Sequence, residues 1–316
     1  MKNKQSVLIV LAACATLAGA APAEATARGA ATRTFHVAHE YKVARRATVW
    51  VPLPSDDPWQ TVRDLQVDGA PWDRVYDSRW GNPAARLHAT AAATITVRYE
   101  VTRRERAADL SRATANPAPS GYATWLQPDA RVPLDARVRK IAADITVGKT
   151  APLARARAAY DYVLSTMRYE KPSGASQGWG QGDLEWACDK RYGNCTDFHA
   201  LFIGLLRASG IPARFSIGYS VPNGAGGDIA GYHCWADFYL DGVGWVPVDA
   251  SEAWRHKDKA DYFFGHHDAD RVQLATGRDI PLPGARGASL NYFVYPYAEA
   301  ADGSAVEVTH RTSYAP

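Results

Sequence analysis

The sequence predicts a mixed α+β protein in which a small antiparallel β domain precedes a part where helices pack on an antiparallel sheet. Three observations carry this. Apolar residues alternate with period two between residues 34 and 105, switch to helical spacing from about residue 130, and return to alternation between 213 and 249 after one well-capped helix. The chain of 316 residues is 47% apolar and 22% charged, with 25 Gly and 19 Pro, so it can bury a sizeable core. That composition excludes disordered, collagenous and multi-span membrane classes. Lys and Arg number 36 against 33 Asp and Glu, a formal +3, and Lys2 and Lys4 lie in the first few residues. The rest is close to neutral, without the basic stripe that nucleic-acid binding needs.

The first 27 residues read as an export signal. Lys2 and Lys4 form a positive start, Val7 to Leu17 is an apolar run too short to span a bilayer securely, and small residues follow with A-x-A sites at Ala18-Gly19-Ala20 and Ala21-Pro22-Ala23. Leu11-Ala12-Ala13-Cys14 also resembles a lipobox, in which Cys14 carries lipid and tethers the chain to a membrane. Simple cleavage and lipidation both stay open, and both place the body outside the cytoplasm, periplasmic or secreted. Cys188, Cys195 and Cys234 then remain in the folded part. In an oxidising compartment two of three thiols tend to pair, and Cys188 with Cys234 is the candidate disulfide.

The N-terminal β domain spans residues 34–105. Phe35, Val37, Tyr41 and Val43, and later Ile95, Val97 and Tyr99, alternate with polar residues, and Pro52, Pro54, Pro58, Gly69, Pro71, Gly81 and Pro83 mark the turns between. Arg103 to Arg106 is a solvated charged stretch and Ser111 to Tyr122 a polar linker. A catalytic-type core is expected over residues 130–260, opening with helices at Leu134 to Ile145 and Ala151 to Met167. Residues 172–183 are a Gly-rich loop without the G-x-x-x-x-G-K-[ST] pattern of a phosphate cradle.

Within Gly193-Asn194-Cys195-Thr196-Asp197-Phe198, Asn194 is an N-cap with Asp197 at the third helical position, so a helix starts with Cys195 in its first turn and stops at Gly210-Ile211-Pro212. Phe198, Leu201, Phe202 and Leu205 form its buried face. The helix macrodipole favours thiolate at that end, which suits a nucleophile; a small buried hydrophobe is the alternative reading of the same cysteine. Two strands follow, Ala213 to Tyr219 and Tyr232 to Leu240, then an Asp241-Gly242 hairpin and a return through Gly244-Trp245-Val246-Pro247-Val248-Asp249. Period two puts His233 on one face and Cys234 on the other, and the return strand brings Asp249 towards His233.

A cysteine at a helix start, a histidine opening a strand and a carboxylate closing the next are the parts of a nucleophile, a general base and an orienting acid. Gly193-Asn194-Cys195-Thr196-Asp197, Arg207-Ala208-Ser209-Gly210-Ile211-Pro212-Ala213-Arg214, His233-Cys234-Trp235 and Gly244-Trp245-Val246-Pro247-Val248-Asp249, in that order, resemble the transglutaminase-like superfamily over about residues 135–255. The resemblance implies a papain-like α+β core with Cys195, His233 and Asp249 as triad. It also implies amide chemistry through a thioester, with no cofactor and a peptide or protein substrate, cell-wall peptide included. Peptidase or amidase action is favoured over crosslinking, since water is the default acceptor. The rival function is an idle protein- or wall-binding module of the same fold. The chain departs from the common pattern in Cys234 inside H-x-W and in Ala250-Ser251 after the aspartate.

The backbone N–H of Cys195 is one oxyanion donor, and Gln181, Trp179 and Trp186 are candidates for a second. Asp197 is most simply the capping carboxylate, with a place in the substrate site as its alternative. His199, one turn after Cys195, competes with His233 for the general-base role but lacks the motif. Zinc is the rival chemistry, since Cys188, Cys195, His199, His233 and Cys234 crowd together. The paired C-x-x-C spacing of structural zinc is missing, however, so no metal is expected. A C-terminal β extension over residues 261–316 is expected to pack on the core, with His266-His267 as a polar turn and Asn291 to Tyr297 as an edge strand or a cover over the cleft.

Overall fold

The computed structural model describes residues 31–172, 178–287 and 289–316; the segment expected to be an export signal, Cys14 included, lies outside them. Six strands open the described chain: β1 (Thr32–Val43), β2 (Ala47–Pro52), β3 (Gln60–Asp68), β4 (Trp72–Tyr76), β5 (Pro83–Ala89) and β6 (Ala93–Arg104), followed by the short β7 (Arg106–Ala107). In β1 the odd-numbered residues from Phe35 to Val43 point inward and are buried, while the even-numbered ones face solvent or the rim. Period-two burial of this kind fixes the register, because a one-residue slip would turn Phe35 and Tyr41 out to water.

The second part begins with α1 (Ala136–Ile145), capped by the Asp135 carboxylate, which accepts from the Val138 N–H at 2.9 Å. Next come α2 (Pro152–Thr166), with proline at its start, then β8 (Arg168–Tyr169), α3 (Leu184–Lys190), β9 (Tyr192–Gly193) and α4 (Cys195–Ala208). The chain continues through β10 (Ala213–Ser220), β11 (Gly227–Asp228), β12 (His233–Leu240), β13 (Gly244–Val248), α5 (Ala250–Arg255), β14 (His266–His267), β15 (Arg271–Thr276), β16 (Tyr297–Glu299) and β17 (Val308–Ala315). The fold is thus α+β: the antiparallel sheet β13-β12-β10-β15 carries the Cys-bearing helix α4 on one face.

Helix α4 is buried over nearly its whole length and packs Phe202 edge-on against Phe238 of β12 and Tyr160 of α2. Aromatic side chains of this size each contribute roughly 1.5–3 kcal/mol by leaving water. The passage from α4 into β10 is made by Arg207. Its guanidinium donates through Nε and Nη2 to the Ala213 carbonyl at 3.1 and 3.0 Å and through Nη1 to Asp129 at 2.9 Å, while Gly210 takes the positive φ of 75° that ends the helix. These contacts give the Arg207 to Arg214 phrase its physical meaning: it turns the chain sharply from helix to strand.

The C-terminal extension divides between the core and the N-terminal sheets. Among the described residues β15 pairs with the core sheet on β10, and Phe264 bridges Val248 of β13. β17 pairs with β1 in the sheet β11-β17-β1-β6-β3, and β16 pairs with β2 in the sheet β16-β2-β5-β4, so the chain end completes the N-terminal sheets. β1 and β2, each already paired on one side, would otherwise present an open backbone edge, and β17 and β16 cover those edges. Asn291 to Pro296 form no strand; Tyr292 and Tyr295 instead stack around Tyr232, beside the site. His266-His267 is not a polar turn either. The pair forms β14 on β7, and His267 is fully buried against Trp235.

Candidate active site

The site grows from the start of α4. The Asn194 side chain accepts from the Thr196 N–H at 2.9 Å, and the Asp197 carboxylate reaches back to the Asn194 N–H at 3.0 Å, closing a capping box. Asp197 does more than cap. Its two oxygens also accept from the N–H groups of Gly180 at 2.8 Å and Gly182 at 2.9 Å, so one buried carboxylate ties the Gly-rich loop to the helix start. Gly193 is required by this arrangement, because a Cβ there would lie 2.2 Å from Asp197 Oδ2. Burial pushes the Asp197 carboxyl up to about 6, against the pull of its three backbone donors.

Cys195 sits at the first position of that helix, 2% exposed. Burial works against its ionisation, but hydrogen bonds from Cys234 and His233, the charge of the imidazole and the Cys234 backbone N–H together bring the thiol down to about 5. His233, the first residue of β12, donates from Nε2 to Asp249 Oδ2 at 2.7 Å, which leaves Nδ1 for the sulfur. Burial lowers its basicity, and the Asp249 carboxylate with the Cys195 sulfur more than reverses this, raising it to about 10. The lowered thiol and the raised imidazole favour a thiolate–imidazolium pair at neutral pH.

Asp249 is the N-cap of α5 and has no solvent exposure. Oδ1 accepts from the Ser251 hydroxyl at 2.8 Å and the Glu252 N–H at 2.9 Å; Oδ2 accepts from His233 and from Arg271 Nη1 at 2.6 Å. Burial alone would neutralise the carboxyl, but the charges of His233 and Arg271 hold it well below the usual carboxylate range. The Ser251 hydroxyl bond gives Ala250-Ser251, one of the two departures from the familiar motif, a use in the site.

The structure brings Cys195, His233 and Asp249 together and sorts the other candidates. His199 donates from Nδ1 to the Cys195 carbonyl at 2.7 Å and accepts the Ala250 N–H on Nε2 at 3.1 Å. With both nitrogens committed and its basicity lowered by burial to about 4, His199 is a brace between α4 and α5. Trp179 donates its indole N–H to the Glu170 carbonyl at 2.9 Å, and Trp186 donates to the Tyr192 carbonyl at 3.0 Å, so neither is free to serve an oxyanion. Gln181 is differently placed. Its carbonyl accepts from Arg278 Nη2 at 2.9 Å and Asn291 Nδ2 at 2.8 Å, which steadies the backbone of the loop carrying its side chain.

Cys188 and Cys234 do not pair; both are free thiols, as is Cys195. Cys188 lies on α3 among Arg137, Asp135 and Asp189, whereas Cys234 faces α4, with its sulfur 3.6 Å from His199 Nδ1 and beside Cys195. Both faces of β12 are buried, and at its first two residues His233 and Cys234 both come within hydrogen-bonding reach of the Cys195 sulfur, so the opposite facing expected of the pair does not separate them here. Among the described residues no group of three or more His, Cys, Asp or Glu is placed to hold a metal ion.

Three residues of the site carry no sequence signal. Tyr232 accepts from Asn194 Nδ2 at 3.0 Å and donates to the Gly180 carbonyl at 3.3 Å, forming a wall beside Cys195; Arg271 and Arg278 come from β15 and just beyond it.

Residues 139–250 match the profile of the Transglutaminase-like superfamily, and this segment is a transglutaminase-like core. An uncharacterized protein of Haemophilus influenzae is 27% identical over 314 residues, covering 85% of this chain and 84% of its own length. The crystal structure of a "Putative Cysteine Protease" from Cytophaga hutchinsonii superposes with a TM-score of 0.61 at 20% identity over 89% of this chain and 90% of that one, so the two share a fold. The periplasmic domain of TgpA from Pseudomonas aeruginosa superposes with a TM-score of 0.39 at 17% identity, over 71% of this chain and 90% of that domain.

Proposed function

We propose that this chain is a cysteine-dependent amide hydrolase that works outside the cytoplasm on a peptide or protein, cell-wall peptide included. The observation that carries this reading is the buried sulfur at the start of α4, drawn down to about 5 beside an imidazole that Asp249 holds at 2.7 Å. The Cys195 thiolate attacks the amide carbon, and the carbonyl oxygen becomes an oxyanion for which the Cys195 N–H and the Gln181 side chain are the proposed donors. His233 gives the proton on Nδ1 to the leaving amine, the C–N bond breaks and a thioester remains. His233, now neutral, takes a proton from water as it attacks the thioester, and releases Cys195 as thiolate with the imidazolium restored. Asp249 keeps Nε2–H of the ring pointed at itself throughout. An amine in place of water would make the same site an acyl transferase.

The test is turnover of a peptide and muropeptide library with and without an added primary amine, comparing wild type with Cys195→Ser. Release of free acid by the wild type alone supports hydrolysis, and incorporation of the amine supports transfer. Absence of turnover with every substrate, together with binding that Cys195→Ser leaves intact, would replace the enzyme by a binding module.

A further inference from the structure

Arg271 stands on β15, beyond the segment that matches the family profile, and is 2% exposed. Burying a guanidinium is costly unless its donors are paired. Here three of its nitrogens are occupied: Nε and Nη2 donate to the two oxygens of Asp268 at 3.2 and 3.0 Å, and Nη1 donates to Asp249 Oδ2 at 2.6 Å. The guanidinium carbon also lies 5.4 Å from the centre of the Trp235 ring, which limits how it can tilt. Asp268 alone would satisfy a structural arginine. The remaining nitrogen goes to the same carboxylate oxygen that receives His233.

We propose that Arg271 is a positioning residue, holding the Asp249 carboxylate in the plane from which it orients His233 towards Cys195. The proposal rests on the cysteine chemistry described above. Ser251 and Glu252 fix Oδ1, Arg271 fixes Oδ2, and a carboxylate held at both oxygens cannot rotate away from the imidazole. A lysine could reach one of the two aspartates but cannot bridge both, because the fork of the guanidinium spans them. The other ionisable groups around the His233–Asp249 pair are His199 and Cys195 from α4, Cys234 from β12, His267 from β14, Tyr160 from α2 and the Asp268 partner itself.

The experiment measures the rate of alkylation of Cys195 by iodoacetamide from pH 4 to 11, read at that residue by peptide mass spectrometry, in wild type, Arg271→Met, Arg271→Lys and Asp268→Asn. Loss of the Asp249 hold weakens the imidazolium and moves the Cys195 midpoint up by about one pH unit in Arg271→Met, the size of shift that one nearby charged contact supplies. Arg271→Lys recovers part of that shift, and Asp268→Asn, which frees one side of the guanidinium, moves the midpoint in the same direction by less. A folded Arg271→Met whose midpoint coincides with wild type overturns the proposal, since a purely structural role lowers the melting temperature without moving the sulfur. If Arg271→Met does not fold, Asp268→Asn decides in the same way. A wild-type midpoint at 9.0, the ordinary value of a thiol, would instead remove the cysteine chemistry itself and the proposal with it.

Discussion

Replacing His233 with alanine removes the imidazole that stabilises the Cys195 thiolate. The hydrogen bond and the charge of His233 are both lost while burial still raises the sulfur, and the full size of the change is a return from about 5 to the ordinary value of 9.0. At pH 6 the thiolate fraction then falls from about nine-tenths to about one-thousandth, a loss of roughly 900-fold. A more basic thiolate is also the better nucleophile, by roughly 40- to 100-fold over four pKa units at a Brønsted slope of about 0.4–0.5. The two effects combine to a drop of roughly 10- to 20-fold in alkylation rate at pH 6, with the larger change in the midpoint of the pH profile. The assay is iodoacetamide labelling followed at Cys195 by mass spectrometry, with Cys188 and Cys234, both raised by burial, as slow internal references. A His233→Ala protein whose midpoint stays with that of the wild type would refute the ion pair.

The ratio kcat/KM for amide cleavage is expected to rise as pH passes about 5, where Cys195 gives up its proton, and to fall as pH passes about 10, where His233 loses the proton it must donate. Asp249 is already ionised throughout that window; a limb near neutrality in the pH–rate profile would contradict this. Asp197→Ala leaves the buried N–H groups of Asn194, Gly180 and Gly182 without their acceptor and is expected to cost about 3 kcal/mol or more in urea unfolding. An unchanged midpoint of denaturation would mean that the loop finds other partners. Arg278→Met strands the Gly182 carbonyl and leaves the Gln181 carbonyl to Asn291 alone, so turnover is expected to fall while the alkylation midpoint of Cys195 holds; a shift of that midpoint would show that the loop also tunes the sulfur.

Local chemistry makes much of this site readable without coordinates. The capping box of α4 involves residues three apart, and the hairpin bringing Asp249 to His233 spans 16 residues, so turn and cap signals suffice for Cys195, His233 and Asp249. Arg271 meets Asp249 from 22 residues away, Tyr232 meets Gly180 from 52, and Arg278 meets Gly182 from 96. No periodicity encodes such contacts, because they depend on where β15 and the loop around Gly180 settle in the folded chain. Trp179 and Trp186 are attractive as donors only while the carbonyls of Glu170 and Tyr192 are out of sight. Helix α3, at seven residues, is too short for a helical period to stand out, although Asp183 caps it. His267 is polar by type, yet it fills a buried position beside Trp235.

The seat of β17 between β1 and β11 ties two distant stretches of the chain to each other. Its Thr312 carbonyl also takes the Ile229 N–H at 2.9 Å, four residues before His233, so the approach to the imidazole is secured by a strand far outside the segment that matches the family profile. Removing that strand, Val308–Ala315, should loosen a reactive centre whose own side chains are all still present.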